Sequence, residues 1–273
     1  PKSPNHYSPF NDENESKNRQ NLVLSAMLKN NYISENERKN AMNEELVFLG
    51  IKERHNLATL MYYQDAVMKE LETITSIPTS LLNTNGLKIY TNLDLNAQTI
   101  LEEAINENID KNSEIQVASV MVEPTTGKII ALTGGKNYIH SQFNRATDSK
   151  RQVGSAIKPF LYYAALENGF TSSTTFLSEP TTFAFSNNKT YSPNNFAGIY
   201  PNKPITMAAA LAYSDNIYAV KTHLFLGEET LVNIMNRVGI RETLYPHPSL
   251  PLGTEEINII DFLTGYNTLA NEG

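Results

Sequence analysis

The chain has 273 residues, 22 Lys and Arg against 29 Asp and Glu, a formal charge of −7, and neither cysteine nor tryptophan. That length holds one large domain or a medium domain with an attachment, and the acidic balance leaves no basic surplus to neutralise phosphates, which excludes a nucleic-acid-binding protein. The missing cysteines exclude disulfides, iron–sulfur clusters, thiolate zinc sites and a cysteine nucleophile, while leaving the compartment open.

The first ~55 residues read as polar, Asn-rich helices. Asp12 and Glu15 have capping-box spacing, as do Ser34 and Glu37. Leu22, Val23, Ala26 and Met27 form one apolar stripe, and Ala41, Leu46 and Leu49 a weaker one. Two such helices can dock on a partner but cannot enclose a core. Residues 57–72 predict an amphipathic helix with Tyr62, Tyr63, Ala66, Val67 and Leu71 on one side. After a loop bracketed by Pro78 and Gly86, residues 87–91 alternate like a strand, and Asp94 reads as the N-cap of a helix carrying Ala97, Ile100, Leu101, Ala104 and Ile105.

The pattern changes near residue 115. Residues 117–123 and 128–133 are β-rich runs around Pro124-Thr125-Thr126-Gly127, a hairpin signal. Residues 155–167 predict a helix closed by Gly169, and residues 171–203 a long polar connection. Helices follow over 206–213, 218–225 and 230–238, with Gly227 and Gly239 ending the last two, and a final helix spans 254–270. No run approaches the roughly 20 apolar residues that cross a bilayer, and no signal-peptide pattern precedes the first helix.

The chemistry narrows by exclusion. There is no Gly-x-Ser-x-Gly elbow, no Gly-Lys-Ser/Thr phosphate loop and no His-Glu-x-x-His. His6, His55, His140, His223 and His247 are scattered and read as surface or satisfied side chains, so no metal or cofactor is expected. Ser-x-x-Lys occurs twice, at Ser155-Ala156-Ile157-Lys158 and at Ser186-Asn187-Asn188-Lys189. Ser186 sits in polar connecting chain. Ser155 follows a glycine and opens a helix, where residues three apart share a face and Lys158 Nζ can reach Ser155 Oγ. The positive end of the helix stabilises a serine alkoxide and, with burial, pushes the lysine toward its neutral, basic form. Pro159 is tolerated only in a first turn, which places the helix start near Ser155. Ser214-Asp215-Asn216 interrupts a second helical stretch and puts a hydroxyl and an amide at a helix junction; Ser214 or Asp215 also suits a plain N-cap there.

Ser-x-x-Lys followed by Ser-Asp-Asn resembles the signature of penicillin-binding proteins and class A β-lactamases, whose third element is Lys-Thr-Gly. The likeness runs along the chain. Asn144-Arg145-Ala146 and residues 151–159 resemble the active-site approach of class A penicillin-binding proteins. Tyr191-Ser192-Pro193-Asn194-Asn195-Phe196, Ile205-Thr206-Met207 and Ala210-Leu211-Ala212-Tyr213 resemble their run into the second motif. Residues 86–94 resemble the linker before that domain, and Pro9 with residues 19–27 the tail of the preceding glycosyltransferase domain.

The resemblance implies an α+β chain with the penicillin-binding-protein and serine β-lactamase-like fold, helices on an antiparallel sheet. It implies a glycosyltransferase tail at 1–55, a linker domain at 56–112 and a partial transpeptidase domain at 113–273. It implies a serine D,D-transpeptidase that crosslinks peptidoglycan. Ser155 would be the nucleophile, Lys158 the base, Ser214 a proton relay toward the leaving amine, and Asn216 the residue orienting Lys158 and the substrate amide; the Ser155 N–H would form half of an oxyanion hole. The implied partners are D-Ala-D-Ala stem peptides, lipid II-derived glycan and β-lactams, and the implied site of action is the outer face of the cell membrane.

Lys-Thr-Gly itself is absent: Lys189-Thr190 and Lys221-Thr222 are followed by Tyr and His. The chain is therefore expected to be a soluble piece of a longer, membrane-anchored protein, weak or inactive alone, with a sheet edge left unpaired. The other readings are a non-catalytic β-lactam sensor or scaffold, a serine β-lactamase, for whose deacylating loop Glu255-Glu256-Ile257-Asn258 is the nearest match, and an interaction role for the N-terminal helices.

Overall fold

A computed structural model describes residues 6–44, 59–76, 82, 87–110 and 112–273, with the backbone alone described at Asn187. The chain divides into two compact units, Pro1–Asn56 and Leu57–Gly273.

In the first unit, helices α1 (Glu13–Lys29) and α2 (Glu35–Asn43) begin as their caps dictate. Asp12 accepts from the Glu15 N–H, and Ser34 and Glu37 form a reciprocal capping box. The predicted stripe is not a buried face: Leu22, Val23 and Ala26 are exposed, and no residue of either helix is fully buried. Leu46 and Leu49 lie outside the described residues.

In the second unit, helices α3 (Leu60–Thr73) and α4 (Leu95–Asn108) pack against the hairpin of β1 (Ser119–Glu123) and β2 (Lys128–Thr133). Tyr62, Tyr63 and Leu132 form a small core there, and Asp94 caps α4. Residues 87–91 form no strand. The reason is that side chains already occupy the free edge of β2. Gln98 donates to Leu132 O and accepts from Leu132 N–H, and Tyr63 Oη donates to Ile129 O. Gln98, Thr59 and Glu102 make a buried hydrogen-bonded chain that joins α3 to α4.

The larger core is helical. Central to it is α6 (Lys158–Glu167), reached from β2 through the short helix α5 (Arg145–Asp148) and strand β3 (Lys150–Gln152). Phe160, Leu161, Ala164 and Ala165 of α6 are fully buried, as a helix that is apolar all round must be. Around it lie α7 (Met207–Ala212), α8 (Asn216–Leu226), α9 (Glu228–Arg237) and α10 (Ile259–Ala270). Gly265 lets α10 approach the Phe160 ring, because a Cβ there would sit 2.9 Å from it.

The 171–203 connection carries structure that its composition hides. Strand β4 (Thr175–Ser178) pairs with β7 (Lys203–Thr206), and β5 (Phe183–Ala184) with β6 (Thr190–Tyr191). The predicted last helix starts later than expected, since residues 256–258 form strand β8 (Glu256–Asn258), antiparallel to β3. The chain is thus α+β with four two-stranded antiparallel sheets among the described residues. No helix among them is long and apolar enough to cross a membrane.

Candidate active site

Ser155 is exposed on a 3-10 turn, Gly154–Ile157, that leads into α6; the first turn is tighter than the α-helix predicted from Pro159. Two glycines shape it. Gly154 has φ +57° and donates its N–H to Gly253 O at 3.0 Å. Gly253 has φ +69°, and a Cβ there would fall 2.0 Å from Gly154 O. Only glycine permits that backbone approach. On the other side, Tyr266 Oη of α10 donates to Ala156 O at 2.7 Å. The Ser155 N–H has no acceptor among the described residues.

Lys158 is the first residue of α6 and only 1% exposed. Its Nζ donates to Ser214 O at 2.6 Å and Asn216 Oδ1 at 2.7 Å and lies 3.0 Å from Ser214 Oγ. The first two atoms can only accept. Ser214 Oγ can reverse, donating to a neutral amine or accepting from an ammonium. Burial pulls the Lys158 pKa down to about 8, with the Asp215 carboxylate opposing. Ser155 Oγ, expected to meet Lys158 directly, makes no hydrogen bond with it; the two residues are joined through the backbone, where Lys158 N–H donates to Ser155 O, and the lysine head turns to the Ser214 junction.

That junction has a clear local cause. Helix α7 ends in a Schellman motif, with Ser214 N–H donating to Leu211 O and Asp215 N–H to Ala210 O. The motif puts Ser214 in the left-handed region at φ +54°, where glycine is usual. A serine held there bears strain of about 1 kcal/mol and aims both its hydroxyl and its carbonyl at Lys158. Asp215 is the N-cap of α8, accepting from Tyr218 N–H at 2.7 Å, so the capping reading of the tripeptide holds together with the cluster.

Residues that sequence reasoning did not single out complete the site. Asn195 Oδ1 accepts from Asn216 N–H at 2.8 Å and Ile217 N–H at 3.3 Å, and its Nδ2 donates to Asp215 Oδ2 at 2.7 Å. Ser178 Oγ donates to the same carboxylate oxygen at 2.5 Å. Asn194 O accepts from Asn216 Nδ2 at 2.7 Å. Gly253 and Tyr266 were missed as well. Among these, Asn194 and Asn195 stood in the sequence only inside a longer family-like run.

The alternative nucleophile and third-motif candidates stand elsewhere. Ser186 and Lys189 lie by the β5–β6 pair, and Lys221 Nζ donates to Leu177 O. The histidines are not all scattered: His223 is buried and faces His247 O at 3.2 Å, while His247 pairs with Glu255 at 2.8 Å. No group of three or more metal-ligating side chains forms among the described residues.

Residues 117–249 match the model of the penicillin-binding protein transpeptidase domain. The whole chain aligns with penicillin-binding protein 2D of Bacillus subtilis at 42% identity, over 40% of that protein. The chain belongs to the penicillin-binding proteins. The Vibrio cholerae penicillin-binding protein 1B aligns with all of it at 27% identity, over 35% of that protein, so the chain spans well under half the length of these relatives. The crystal structure of penicillin-binding protein 1A from Haemophilus influenzae shares the fold, with a TM-score of 0.67 at 22% identity, covering 99% of this chain and 54% of that one. A penicillin-binding protein from Mycobacterium tuberculosis gives 0.65 at 25% identity, covering 76% and 56%. The transpeptidase fold expected from the motifs is therefore the fold of this penicillin-binding protein.

Proposed function

We propose that this chain is part of a peptidoglycan D,D-transpeptidase of the bifunctional class A type, working through a serine acyl-enzyme at the outer face of the cell membrane. Residues 1–55 are then the tail of a glycosyltransferase domain, 56–112 a linker and 113–273 part of the transpeptidase. The observation that carries the reading is the Lys158 cradle: a buried lysine, three residues after an exposed serine, gripped by Ser214 and Asn216.

The chemistry follows from that cradle. With its pKa near 8, roughly a quarter of Lys158 is neutral at pH 7.5, against about one part in a thousand for an ordinary lysine. Neutral Lys158 takes the Ser155 proton as Oγ attacks the carbonyl of the penultimate D-Ala. The unpartnered Ser155 N–H is available to the developing oxyanion. Collapse of the tetrahedral intermediate breaks the C–N bond and releases terminal D-Ala, whose amine receives the proton from Lys158 through the reversible Ser214 hydroxyl. An amine of a second stem peptide then attacks the ester, forms the crosslink and returns Ser155 to its protonated state. β-Lactams, whose strained amide mimics the donor, acylate the same oxygen.

The test is steady release of D-Ala from a pentapeptide donor by the protein as the cell makes it. Multiple turnovers, lost in S155A, are the expected result. Stoichiometric acylation without turnover favours a sensor or scaffold instead.

A further inference from the structure

Asn216 can serve Lys158 only if its carbonyl end, and not its amide end, faces the ammonium. Reversed, two donors would meet. The choice is made by the loop between β6 and β7. Asn194 O takes the Asn216 Nδ2 hydrogen at 2.7 Å, which leaves Oδ1 turned to Lys158 at 2.7 Å.

Asn195 holds that loop in place. It is 8% exposed and uses both ends of its amide. Oδ1 receives the first two N–H groups of α8, Asn216 and Ile217. Nδ2 is shared among Asp215 Oδ2 at 2.7 Å, Ile199 O at 3.1 Å and Ser178 Oγ at 3.4 Å. With Asp215 Oδ1 receiving Tyr218 N–H and Asp215 N–H itself donating to Ala210 O, all four otherwise orphaned donors at the start of α8 are satisfied, two of them by Asn195. Nearby Ala197, at φ +53°, shows the loop bent into a conformation that alanine does not favour.

We propose that Asn195 is a positioning residue for the Lys158 base, acting through Asn216: it locks the 194–195 segment onto the start of α8 so that Asn216 presents its oxygen to the lysine. The inference rests on the transpeptidase reading of the site. The charged and titratable groups facing this region are Asp215 at the α8 N-cap, Tyr162 of α6 and Tyr218 of α8.

The test reads Lys158 directly. The titration of its ε-carbon is followed by 13C-lysine NMR in wild type, N195A, N195Q and S178A. N195Q keeps a polar amide in the buried pocket and displaces it by one methylene, so it decides the matter if N195A does not fold. S178A removes a hydrogen bond to Asp215 and the longest, 3.4 Å, partner of Asn195 Nδ2, leaves the Asn195 bonds to Asp215, Ile199 and α8 in place, and touches nothing on Asn216. A lysine that loses its fixed acceptor is easier to deprotonate, so the midpoint is expected to fall by about half a pH unit or more in N195A and N195Q and to stay put in S178A. β-Lactam acylation should fall about 10- to 100-fold in the same two variants. An unmoved midpoint in N195A and N195Q, or an equal shift in S178A, overturns the proposal. Failure of wild type to acylate counts against the transpeptidase reading, and the NMR midpoint still decides the role of Asn195.

Discussion

Replacing Gly253 by alanine should disable the proposed nucleophile from a loop a hundred residues away in sequence. A Cβ at Gly253 would sit 2.0 Å from Gly154 O, 2.3 Å from its N and 2.6 Å from its carbonyl carbon, where real contacts stay beyond 3.0 Å. Backbone lies on both sides, so Gly154 has to retreat by about 1 Å and carry Ser155 with it. The left-handed φ adds about 1 kcal/mol of strain, and loss of the Gly154 N–H to Gly253 O bond about another 1 kcal/mol. A displacement of about 1 Å at a reacting atom costs on the order of 100-fold in rate. The assay is the second-order rate of fluorescent-penicillin acylation, measured beside chemical denaturation. Gly169→Ala is the control, because Gly169 also has positive φ (+86°) but a Cβ there meets nothing within 4 Å. G253A should lose about 2 kcal/mol of stability and about 100-fold in acylation; G169A should lose about 1 kcal/mol and keep its rate. Equal acylation rates in the two variants would refute the idea that the Gly253–Gly154 approach sets the position of Ser155.

Other outcomes follow from the buried groups. With neutral Lys158 as the proposed base and its pKa lowered by burial to about 8, acylation should rise with pH through about 8 and not through the ordinary lysine range, a limb visible in a pH–rate profile. K158R, which stays protonated across that range, should abolish it. Tyr162 Oη is buried without a partner among the described residues, so Y162F should be neutral or raise stability by up to about 1 kcal/mol in urea unfolding. Burial lowers the His223 pKa from 6.5 to about 4, so between those values the unfolded chain binds the extra proton; stability should fall by about 3 kcal/mol as pH drops through that window, and H223L should flatten the profile.

Local signals were readable from sequence where the deciding partner lay within a few residues. The Ser34 capping box, the Asp12 and Asp94 caps and the hairpin read at 117–133 depend on neighbours; the Ser34 box and the Asp94 cap formed as read, Asp12 caps α1 with the Asp12 half of its box, and the first hairpin strand starts at Ser119. The Lys158 cradle was readable because Ser214 and Asn216 come with their own short motif. What escaped were single contacts between distant residues, which leave no periodicity. The β3–β8 pair joins two three-residue strands far apart in the chain, and Gln98 occupies the edge of β2 while residues 87–91, read as a strand, form none. Asn195 and Gly253 belong to the same class: each acts through one close approach that only the folded chain creates. Leu22 and Val23, read as a stripe unable to enclose a core, are exposed: an apolar stripe gives the face of a helix and not the surface that covers it.

The central claim is that Ser155, served by Lys158, is the acylated atom. The direct test is peptide-mapping mass spectrometry of the protein, as the cell makes it, after reaction with a β-lactam. The account predicts one adduct, on the peptide containing Ser155, absent in S155A and strongly reduced in K158R. An adduct on another residue, or one that survives in S155A, would contradict it.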